Sequence, residues 1–81
     1  MATIKRTATV GEYFLELGSK EIEIYKIAKD GSGALKRIDD IQGTIRMIAD
    51  EYGFERDYNI SFRQYVARLI QYINAFENKL Q

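Results

Sequence analysis

This chain of 81 residues predicts an α+β fold, a three-stranded antiparallel meander followed by an antiparallel two-helix hairpin packed on one sheet face. Phe62, Val66, Leu69, Ile73, Phe76 and Leu80 recur in steps of four and three, which puts them on one face of a helix running from Ile60 to Leu80. Glu21 to Ala28 alternates instead and is rich in β-branched and aromatic residues, the pattern of a half-buried strand. Between these patterns, Lys29-Asp30-Gly31-Ser32-Gly33 is the clearest turn, because Asp-Gly readily supplies positive φ. Burying each large side chain of the helical stripe contributes roughly 1.5–3 kcal/mol, so the fold must cover it.

Taken in order, residues 1–8 are polar and weakly basic and read as a flexible arm. Val10 to Leu17 and Glu21 to Ala28 read as a hairpin across Gly18-Ser19-Lys20. The alternative is an all-α helical bundle, since Thr9 and Glu12 fit a capping box and Val10, Tyr13, Phe14 and Leu17 fit a helical face. Ile22 to Ile27 is a poor helix former, which favours strands. Ala34 to Ile38 can pair back as a third, short strand.

Asp39 with Gln42 resembles a capping box, and Ile41, Ile45, Ile48 and Tyr52 then step by four, three and four. Gly43 costs about 1 kcal/mol in a helix interior and less in a first turn, so the helix starts near Asp40. Gly53 stands where a C-terminal glycine belongs. Asn59 or Ser61 caps the final helix, and the short connection makes the two helices antiparallel neighbours.

The length bounds the chain to a single domain, 1–81, burying about 60% of its unfolded surface. Small domains usually add disulfides, a metal or a second subunit. With no cysteine and no histidine, disulfides, zinc–thiolate sites and imidazole ligands are excluded. No calcium-loop pattern is present either, so neither metal nor cofactor is expected, and oligomerisation is the support left open. Twelve basic residues balance twelve acidic ones, which makes nucleic acid an unexpected partner. No apolar run approaches the roughly 20 residues of a membrane helix, and no apolar segment follows the first charged residues as in a signal peptide. A cytoplasmic location is the expectation, and the lack of cysteine agrees with a reducing compartment.

No catalytic residue is expected. Ser19, Ser32 and Ser61 each fall at a turn or cap, where serine serves the backbone. Asp39-Asp40 suits a helix N-terminus, Asp50 and Glu51 point about 100° apart, and Glu21 with Glu23 reads as a solvated strand face. Gly31-Ser32-Gly33 lacks the frame and the Lys-Ser/Thr ending of a phosphate loop.

Two aromatic features suggest contact with another protein. Tyr58, Tyr65 and Tyr72 are spaced by seven, with Arg68 three or four residues from the latter two and Phe76 beyond them, an edge with hot-spot composition. If Leu15, Leu17, Ile22 and Ile24 face the helices, alternation turns Phe14, Tyr25 and Ile27 outward on the open sheet face. The expected function is therefore a non-enzymatic protein-interaction module forming a homo-oligomer, most simply a homodimer, through its C-terminal helix, its open sheet face or both. One alternative is a small accessory or inhibitor protein of the phage or mobile-element kind, docking on a larger host protein. Another is a DNA-binding regulator built on Lys5-Arg6, Lys36-Arg37, Arg56, Arg63 and Arg68. Strand followed by two helices is similar to ribbon-helix-helix repressors in order of elements alone, and Glu21 and Glu23 on the best strand oppose that reading.

Overall fold

The protein is described by a computed structural model over residues 5–79, with side chains as far as Glu77. Its elements are β1 (Thr7–Val10), β2 (Tyr13–Leu17), β3 (Ile22–Ile27), β4 (Leu35–Arg37), α1 (Ile41–Tyr52) and α2 (Phe62–Lys79). The strands form one antiparallel meander in the order β1-β2-β3-β4.

The α+β class stands, with four strands where three were predicted. Gly11 accounts for the extra one. Val10 pairs with Tyr13, which leaves Gly11-Glu12 as a two-residue loop. Gly11 has φ 57° and no non-glycine residue among those described has positive φ, the signs of a type II′ hairpin turn. The predicted strand from Val10 to Leu17 is therefore two strands folded on each other. Thr7 and Ala8, assigned to a flexible arm, belong to β1, because Ala8 is buried opposite Leu15. The rest of that arm, residues 1–4, lies outside the described residues. The all-α alternative fails here, since Thr9 pairs across the hairpin with Phe14 and caps no helix.

Side-chain alternation sorts the sheet into two faces. Ala8, Leu15, Leu17 and Ile24 turn inward and form one cluster with Ile45, Ile48 and Ala49 of α1 and Val66, Leu69, Ile70 and Ile73 of α2. Leu15, Ile24, Val66, Leu69 and Ile70 have no solvent exposure at all.

The helix ends are closed by local chemistry. Asp40, not the predicted pair Asp39 and Gln42, caps α1, and its carboxylate accepts from the Gly43 N–H at 3.0 Å. A Cβ on Gly43 would run into that carboxylate, so the glycine makes room for the cap. At the other end Gly53 adopts φ 67°. Its N–H donates to the Asp50 carbonyl at 3.2 Å, and the Phe54 N–H donates to Ala49 at 2.9 Å, the two bonds of a Schellman motif. Ser61 caps α2 reciprocally. Its hydroxyl accepts from the Gln64 N–H and the Gln64 side chain accepts from the Ser61 N–H, both at 3.1 Å.

α2 has 18 residues and α1 has 12, about 27 and 18 Å at 1.5 Å per residue. From α2, Gln71 donates its amide to the Lys5 carbonyl and Asn74 donates to the Thr7 carbonyl at 3.0 Å. These amides satisfy carbonyls at the start of the first strand and just before it. Leu80, the last residue of the predicted stripe, lies outside the described residues.

Candidate interaction surface

After Gly53 the chain reverses and lays Phe54 against α2. A ladder of five rings results. Tyr65 stacks on Phe54 with centroids 5.4 Å apart, and Phe54 meets Tyr72 at 5.0 Å. Tyr72 meets Tyr52 edge-on at 6.2 Å, and Tyr52 meets Phe76 edge-on at 5.4 Å. Edge-to-face and offset contacts are the geometries that ring quadrupoles favour. Among the rings of α2 exposure rises toward the C-terminal end, from 3% at Tyr65 to 41% at Tyr72 and 44% at Phe76. Of the predicted contact residues, Tyr65 is thus part of the core, whereas Tyr72 and Phe76 reach solvent.

Tyr65 is held by more than packing, as its hydroxyl donates to the Phe54 carbonyl at 2.8 Å. Burial raises its pKa above the usual 10.0, opposed by the nearby Arg56 charge. The Tyr52 hydroxyl donates to Glu77 at 3.3 Å, and burial, followed by the Glu77 charge, raises its pKa as well.

The inner end of the ladder carries a cation. The Arg56 guanidinium lies 4.8 Å from the Tyr65 ring centroid, 4.9 Å from Tyr58 and 5.9 Å from Phe62. It also donates to the Asp57 carbonyl. Arg68, expected as a contact residue on this edge, lies 4.0 Å from Asp57 with its side chain 63% exposed. Tyr58 is 86% exposed and forms the rim. Arg46, Asp50, Arg56, Tyr58, Phe62 and Tyr65 line an open groove of about 760 Å³.

Tyr52, Phe54 and Arg56 were not singled out from the sequence. A signal did exist at Gly53-Phe54, because the residue after a C-terminal glycine commonly packs back on its own helix.

Three of the basic residues considered for nucleic acid are tied to the chain's own groups. Arg6 donates to Leu17, Arg63 to Gly18, and Arg37 pairs with Glu21 at 3.2 Å. Ser32 and Ser61 each accept a backbone N–H. Among the described residues no group of three or more acidic side chains is placed to hold a metal. No helix of the described residues is long and apolar enough to cross a membrane.

On the outer sheet face the register builds three cross-strand rows. Thr7, Glu16 and Glu23 form the first, and Thr9, Phe14, Tyr25 and Arg37 the second. Ile27 and Leu35 form the third. Phe14, Tyr25 and Ile27 are half-buried but lie outside the core cluster, and Leu35 is 52% exposed. The Phe14 and Tyr25 rings are 6.4 Å apart.

No protein-family model, no curated protein and no solved structure matches this chain.

Proposed function

We propose that the chain is a non-enzymatic interaction module that forms a homodimer through the distal part of α2, with both helices packed on the buried sheet face. The observation supporting this reading is the ring ladder, sealed at Tyr65 and open at Tyr72 and Phe76. Tyr52, which meets both open rings, is the last residue of α1, so α2 outruns its neighbour where the rings are bare. A two-fold interface needs a patch that complements itself, and edge-to-face rings do. A cytoplasmic location belongs to the same reading.

Sedimentation across a micromolar concentration series tests it. A dimer is expected for the parent chain, and a monomer at the same concentrations for Tyr72→Ser with Phe76→Ser. A parent chain that stays monomeric throughout overturns the reading. Docking on a larger host protein is the second reading, and the outer sheet face favours it.

A further inference from the structure

We infer that the outer sheet face is a docking surface for a basic segment of another protein, one carrying an arginine or lysine next to apolar residues. Glu16 and Glu23 stand directly opposite each other on β2 and β3. Like charges at such a position repel. Among the described residues neither carboxylate has a cation within ion-pair distance. Their one local relief is the Tyr25 hydroxyl, which donates to Glu23, and this bond together with the two glutamate charges raises the Tyr25 pKa.

Beside the carboxylates lies the Phe14–Tyr25 ring pair, and beyond it Ile27 and Leu35. A cation docked there would sit between two carboxylates and against two rings, while its apolar neighbours cover the aliphatic row. Charge selects the occupant. A second copy would have to bring a cation from elsewhere on its surface, since Arg37, the one cation in these rows, is already held by Glu21. Nucleic acid would meet the glutamates as like charge. The inference is independent of dimerisation through α2, which uses other residues.

A short fluorescent peptide of alternating arginine and leucine is the probe, with glutamine–leucine and glutamate–leucine peptides as controls. Binding to the arginine peptide alone is expected, weakening with salt. Amide NMR shifts on the unmodified chain should concentrate on Phe14, Glu16, Glu23 and Tyr25. Glu16→Gln with Glu23→Gln should weaken binding by about tenfold or more, and Glu16→Lys with Glu23→Lys should transfer preference to the glutamate peptide. Equal binding of the arginine and glutamine peptides overturns the inference. So do shifts confined to the α2 rings, or affinity unchanged in the glutamine variant. The shift map needs no variant, so the result stands even if a substituted chain folds poorly.

Discussion

Tyr65 joins the core to the ring ladder through one hydroxyl, and that bond has a measurable weight. Tyr65→Phe keeps the ring and leaves the Phe54 carbonyl without its donor, an expected loss of about 1 kcal/mol in denaturant unfolding. The same substitution changes the pH profile. The hydroxyl pKa is raised in the folded state, so its contribution is fully present below about pH 10 and is lost as pH rises through the folded pKa. Tyr52 acts in the same direction. Tyr65→Phe should therefore make the alkaline decline shallower without abolishing it, and an unchanged slope would refute this role. Asp40 and Gly43 supply a second test. Gly→Ala normally stabilises a helix, but here the new methyl displaces the capping carboxylate. Gly43→Ala should gain little in the parent and recover its ordinary gain in an Asp40→Ala background, with a coupling of about 1 kcal/mol by double-mutant cycle.

At the scale of elements, much was legible because the signals were local. The alternation from Glu21 to Ala28, the Asp30-Gly31 turn, the stripe of α2 and the glycine ending α1 each declare themselves within a few residues. Gly11 was read inside one strand from Val10 to Leu17, because a lone glycine inside an apolar stretch signals a turn only weakly. The ring ladder was half visible. Spacing brought Tyr65, Tyr72 and Phe76 to one flank of α2, but nothing local shows that Tyr52 and Phe54 fold in from α1. Arg68 was preferred over Arg56 for the same reason, since helical spacing is readable and a chain reversal is not. The clasp between α2 and β1 is equally non-local. Gln71→Ala with Asn74→Ala should speed hydrogen exchange at the β1–β2 amides and leave the β2–β3 amides protected. Equal acceleration of both sets would show that the clasp does not act locally.

At the scale of the molecule, the apolar surface left over falls in two places of different character. The distal rings of α2 are exposed aromatic surface, whereas the outer sheet face sets glutamates without an ion-pair partner among the described residues beside rings. Under the two proposals above, such surfaces would let one small protein hold its own copy and a basic partner together. A mixture of chain and arginine–leucine peptide should sediment as a dimer carrying peptide. Peptide that dissociates the dimer would show that the surfaces compete.

The clasp of Gln71 and Asn74 on the first strand also bears on how the protein is made. A ribosome releases β1 before α2, so the carbonyls that the helix will satisfy wait in water until it emerges. During that interval β1 is held by its hairpin partner alone, and its free side can pair with any passing strand. That side is shut only when α2 reaches back to it.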